Sequence, residues 1–242
     1  MPFIALFTAL SLLTLPALAQ DYSSLLGLPE GATVMSISTT ERTEVKQDLL
    51  TATLRYQAEN ADPVALQDDI NKIIGNALKE SDKVKNVQVS TLGYNVYQYD
   101  PNRRKDKIAA APIWRGEQSL QIKSTDSEAL LDLAGKLQKI GLVMSQLGYS
   151  VSPDLRDATQ NNLLELALEH LTAKATRAGK ALGKNTAQLL KVDVGASPSS
   201  YPQQRMMQTM ATDSISEMAA PVAAPGHSDI TLDVSAIALL TP

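Results

Sequence analysis

The stretch SPDLRDATQNNLLELALEHLTAKATRAGKALG, Ser152 to Gly183, decides how the rest of the chain is read. Leu164, Leu168, Leu171, Ala175, Ala178 and Leu182 recur every three or four residues, the spacing of one helical stripe. Ser152 suits the cap of a first turn, Pro153 the first helical position, and Asp154 the positive end of the helix dipole. Gly183 follows the last stripe residue and can adopt the left-handed conformation that ends a helix. Roughly 28 residues at about 1.5 Å each make a rod of about 40 Å. So long an amphipathic helix requires a broad apolar layer beneath it, and the segments on either side must supply that layer as strands.

Those segments alternate as strands do. Ala32–Thr40 is a first strand, followed by a charged turn over Glu41–Val45. In Asp48–Ala58, Leu50, Ala52, Leu54, Tyr56 and Ala58 take one face and Thr51, Thr53, Arg55 and Gln57 the other, the mark of a sheet covered on one side. Asp62-Pro63 opens a helix with the stripe Leu66, Ile70, Ile73, Ile74, Ala77 and Leu78. Val84–Tyr99 is a long strand with Gly93 at a possible bulge, and Trp114–Ser124 returns beside it as a hairpin across a polar, basic loop. Thr125 with Glu128 has capping-box form ahead of a short helix that presents Leu130, Leu133, Ala134 and Leu137. Leu142–Ser152 alternates again, with Val143, Leu147, Tyr149 and Val151 on one face. After the long helix come a strand at Ala187–Ala196, an excursion rich in Ser, Pro, Gln, Met and Ala at 197–227 read as mobile, and a closing strand at Ser228–Leu240. The fold class expected is α+β, a mostly antiparallel sheet with helices on one face.

Residues 1–19, MPFIALFTALSLLTLPALA, stand apart. They carry no charged side chain and end in the small-x-small pattern Ala17-Leu18-Ala19, the form of a cleaved signal peptide. An uncleaved anchor or a buried helix are the other readings, and the apolar run is short for a membrane span. Export to a bacterial periplasm follows from that segment. The chain has no cysteine, so it uses no disulfide, thiolate metal site or cysteine nucleophile. Its 242 residues are long enough for a conventional core, and a net charge of −4 argues against a nucleic-acid surface.

No catalytic spacing is present: there is no HExxH, GxSxG, GxGxxG or P-loop, and the chain has two histidines, His170 and His227. Asp68-Asp69 are neighbours on a helix and do not face each other. Met206, Met207, Met210 and Met218 carry soft thioethers that suit Cu(I) or oxidant scavenging, which leaves a periplasmic small-molecule or Cu(I)-binding protein as the alternative function. The binding or assembly surface expected from sequence is the hairpin: Tyr94, Tyr97 and Tyr99 on one strand, Trp114 on the other, and Arg103 and Arg104 in the basic loop. Tyr97 and Tyr99 share a face and Tyr94 takes the opposite one. Packing across the hairpin is the plainer use of these aromatics.

With Tyr94-Asn95-Val96-Tyr97 before a basic loop, Trp114-Arg115-Gly116 near a strand start, and an Ala-rich helix ending Ala181-Leu182-Gly183, the chain from Leu28 to Leu240 resembles the SIMPL (DUF541) family of exported Gram-negative proteins. That resemblance implies a periplasmic or outer-membrane-associated α+β protein with no established enzymatic activity and no cofactor. It also implies homo-oligomers, since some members form ring- or channel-like assemblies, and a link to oxidative-stress defence. No functional residues transfer, because the family has no agreed catalytic set.

Overall fold

A computed structural model describes residues 27–99, 113–195 and 223–242. Its elements are β1 (Thr33–Lys46), β2 (Leu49–Asn60), α1 (Pro63–Ser81), β3 (Gln88–Tyr99), β4 (Ile113–Ser124), α2 (Ser127–Lys139), β5 (Val143–Ser150), α3 (Pro153–Ala181), β6 (Thr186–Gly195) and β7 (His227–Thr241). The order of helices and strands is the one expected, and the class is α+β. Where the sequence suggested one sheet there are two, of order β3-β4-β2-β5 and β1-β7-β6. The described residues fall into two compact units, one of 27–38, 169–193 and 235–242, the other of the remainder.

The larger unit holds the principal core. Leu50, Ala52 and Leu54 of β2 and Leu120 and Ile122 of β4 are completely buried. Their cross-strand partners are Leu50 with Ser124, Ala52 with Ile122 and Leu54 with Leu120, so one face of the antiparallel pair is a continuous apolar surface. α1 lays Leu66, Ile70, Ile74 and Ala77 on it, and α2 adds Leu130, Leu133, Ala134 and Leu137, as the stripes require. At about 1.5–3 kcal/mol per buried large side chain, this layer is the dominant apolar term of the unit.

The helix ends are specified locally. The Asp62 carboxylate accepts from the backbone N–H of Val64 at 2.8 Å, with Pro63 in the first helical position. For α2 the cap is Asp126 and not Thr125: the Asp126 carboxylate accepts from Ala129 N–H at 3.1 Å, while Asp126 N–H donates to the Ser124 hydroxyl. The acidic side chain, one residue closer to the helix, already fills the role the capping box assigned to threonine. At α3, the Ser152 hydroxyl accepts from Leu155 N–H at 3.2 Å and itself donates to Asp48 at 2.7 Å. Ser152 N–H donates to the other Asp48 oxygen at 2.7 Å, so the β1–β2 turn holds the first turn of α3. The far end closes on Gly183 at φ +68°, with Lys184 N–H on the Gly179 carbonyl at 2.8 Å and Gly183 N–H on that of Lys180.

Three further expectations change. The charged turn at Glu41–Val45 is strand: β1 runs on to Lys46 with alternating burial. Glu41 points inward and accepts from the Thr39 hydroxyl at 2.8 Å, while Arg42 points outward and pairs with Asp229 of β7. Val143 is 65% exposed and not on the inner face of β5. Leu54 pairs with Met144 but Thr53 with Gln146, so Ser145 is an extra residue that inverts parity at the start of the strand. The expected bulge at Gly93 is present, between Thr91 and Tyr94.

The third of these changes concerns α3. Its buried line is Thr159, Leu163, Ala167, Leu171, Ala175 and Gly179; Leu164, Leu168 and Ala178 flank it half-buried, and Leu182 is exposed. A strict spacing of four advances about 40° around the axis at each step, so the buried line winds along the helix instead of holding one face. Most of its members are small, which makes α3 a closely approaching rod and a lesser apolar contributor than the sequence suggested. Near its end, a Cβ built at Gly179 lies 3.8 Å from Ala187 of β6 and 3.8 Å from Leu240 of β7.

Candidate assembly surface

The hairpin expected to carry a surface is in place. β3 and β4 pair antiparallel, with Tyr94 opposite Gln118, Val96 opposite Gly116, Tyr97 opposite Arg115, Gln98 opposite Trp114 and Tyr99 opposite Ile113. That register divides the expected residues between two faces. Tyr94 and Trp114 belong to the helix-covered side; Trp114 packs half-buried against the core, and Tyr94 stays 41% exposed at the sheet edge. Tyr97, 44% exposed, lies on the opposite side. Arg103 and Arg104 lie outside the described residues. The six do not form one patch within the part described.

The helix-covered side has its own polar edge. Tyr56 of β2 donates its hydroxyl to Asp69 of α1 at 2.7 Å. That hydrogen bond to a carboxylate pushes the Tyr56 phenol up to about 12, because ionising it would remove the donor and set two anions against each other. Asp69, half of the Asp68-Asp69 pair, is thus a structural acceptor that ties helix to sheet.

On the open side of the four-stranded sheet, charges answer one another. Arg115 Nε donates to Glu59 at 2.7 Å, its direct cross-strand partner, and Arg55 reaches Glu117 at 3.4 Å. Exposed pairs of this kind contribute little to stability, about 0–1 kcal/mol each, but they leave this face without a field of one sign. His170 and His227 are exposed, on α3 and at the start of β7. Among the described residues, no three His, Cys, Asp or Glu side chains are grouped so as to hold a metal ion, and no helix is long and apolar enough to cross a membrane. Met206, Met207, Met210 and Met218 lie outside the described residues, as do residues 1–19.

A surface that sequence reasoning passed over is β6. It is the edge of the β1-β7-β6 sheet and is exposed along nearly its whole length. Leu190, Val192 and Val194 share one face by parity and are 51, 37 and 50% exposed. Lys191 and Asp193 alternate with them and pair with each other at 2.9 Å. The signal was present in the run Leu190-Lys191-Val192-Asp193-Val194, a period-two pattern whose apolar face stays about half exposed. Periodicity reports that a face is apolar, not what covers it.

Compared with known proteins, residues 35–237 match the family model SIMPL, described as "Protein of unknown function (DUF541)". No curated protein matches the chain.

Proposed function

Since the chain belongs to the SIMPL (DUF541) family, we propose that it is a non-enzymatic exported protein that acts by homo-oligomeric assembly or binding in the cell envelope. Residues 1–19 would direct it to the periplasm, with peripheral association with the outer membrane, and oxidative-stress protection is the setting the family resemblance implies. The observation that supports assembly is the exposed apolar strand: among the described residues, three branched aliphatic side chains in a row on a sheet edge, Leu190, Val192 and Val194. Edge strands that stay single are usually blunted by charge, proline or cover, because their free backbone groups invite another strand. The test is light scattering on the full-length chain, expressed with its own N-terminus and purified from the producing cells. A mass above one chain that falls on dilution is the expected result; a single-chain mass at every concentration contradicts assembly.

A further inference from the structure

We propose that β6 pairs with β6 of a second copy, antiparallel and centred on Val192, so that two three-stranded sheets join into one across a two-fold axis. The proposal rests on the assembly reading and names its interface. The strand is self-complementary in that register alone. With Val192 opposite Val192 of the second copy, Leu190 meets Val194 and Lys191 meets Asp193, each twice by symmetry. The apolar side chains then form one continuous ladder on one side of the ribbon. The charges form two opposite-sign cross-strand pairs on the other side. A shift of two residues, to centre on Asp193 or Lys191 with a like-charged self-pair, or to run Leu190 out of the strand partner, loses one or both matches. Lys191 and Asp193 already attract within one chain at 2.9 Å, with side chains 62 and 56% exposed, so both remain accessible to a partner strand.

In this register the free strand pairs over Leu189–Gly195. Its ten residues, Thr186–Gly195, are bracketed by features that fix its course. Asn185 N–H donates to the Thr241 carbonyl at 2.9 Å, and Gly195 passes so close to β7 that a Cβ built there would lie 3.2 Å from the Asp233 carbonyl oxygen. β6 is therefore held against β7 along one edge at both ends, while its other edge carries no strand neighbour among the described residues. Joining edges between copies satisfies backbone donors and acceptors that water otherwise holds, and removes three exposed aliphatic side chains per copy from water.

The experiment is sedimentation of four full-length proteins: the unsubstituted chain, Val192→Lys, Lys191→Asp and Asp193→Lys. All three substitutions are at exposed positions, and far-ultraviolet circular dichroism checks that each remains folded. Val192→Lys sets two cations face to face on the axis and should abolish pairing through this edge. Lys191→Asp and Asp193→Lys each turn both charged pairs into like-charge pairs and should weaken association about tenfold. Mixed in equal amounts, the last two restore every opposite-sign pair between chains, though not within either chain, and should associate as the unsubstituted protein does. Association that survives all three substitutions overturns the β6 interface while leaving assembly standing. Single variants that weaken without recovery on mixing overturn the register. A monomeric unsubstituted chain overturns this interface and the assembly reading together.

Discussion

Replacing Gly116 by alanine tests the closeness of α1 to the sheet. A Cβ built at Gly116 lies 2.5 Å from Ile70 Cδ1, 3.3 Å from Leu66 Cδ2 and 3.3 Å from Val96 Cγ2. Carbon atoms in contact prefer about 3.5–4.0 Å, so the first of these must move by about an ångström. The end of an isoleucine side chain is normally easy to displace, but Ile70 is completely buried, as is Leu66 within 1%, and neither has room to turn away. Overpacking of this kind costs about 1–3 kcal/mol. Against it stands the loss of glycine's freedom in the unfolded chain, worth about 0.4–1 kcal/mol. The clash wins, and Gly116→Ala should destabilise by about 1–2 kcal/mol. Ile70→Val, which removes Cδ1, should cost about 0.5–1.5 kcal/mol alone and should make Gly116→Ala nearly free in the double variant. Gly75, inside α1, is the control: a Cβ there meets nothing within 4 Å, so Gly75→Ala should stabilise by about 0.5–1 kcal/mol. Urea unfolding followed by circular dichroism reads all four. Additive costs in the double variant, or a Gly116→Ala protein as stable as the parent, would refute the packing argument.

The Tyr56 phenol, raised from 10.0 to about 12, contributes stability that is complete below pH 10 and is lost as pH rises through its folded value. The ultraviolet titration difference between the parent and Tyr56→Phe should show a transition near 12, and Asp69→Asn should return it toward 10; a transition near 10 in the parent contradicts the hydrogen bond. Asp48→Ala removes the acceptor for both Ser152 N–H and its hydroxyl and should cost about 1–3 kcal/mol, with faster amide exchange in the first turn of α3. Gly183→Ala meets no atom within 4 Å but must hold φ +68°, so its cost should be pure backbone strain of about 1 kcal/mol; denaturant midpoints equal to the parent would contradict that conformation.

Elements with one covered face were legible from the sequence. Leu66, Ile70 and Ile74, or Leu50, Ala52 and Leu54, announce their burial by period alone, because each faces one layer for its full length. α3 was legible in extent and caps but not in face. Its buried line advances about 40° around the axis at each four-residue step, so leucines chosen for a fixed stripe drift off it, and Thr159 and Gly179 on the true line carry no hydrophobic signal. Charge misled at Glu41–Val45, where alternation, with Glu41 inward and Arg42 outward, is the strand pattern itself. Val143 was lost to a one-residue irregularity that no local pattern encodes. For the surface, residue type was a poor guide. The aromatics of the hairpin attracted notice, yet the register sends them to opposite faces. The plain aliphatics of β6 are exposed because of their place at a sheet edge, a fact of topology set by pairing with the distant β7.

The chain contains no cysteine, so a single Val192→Cys substitution offers the most direct test of assembly through β6. Directly opposed residues of an antiparallel pair stand about 4.5–5.5 Å apart at Cα, within the span of a disulfide. Mild oxidation of the Val192→Cys protein, followed by denaturing electrophoresis without reductant, should give a covalent dimer in high yield, reversed by reductant. A Val192→Cys chain that stays single under oxidation, while light scattering shows it assembled, would contradict the account.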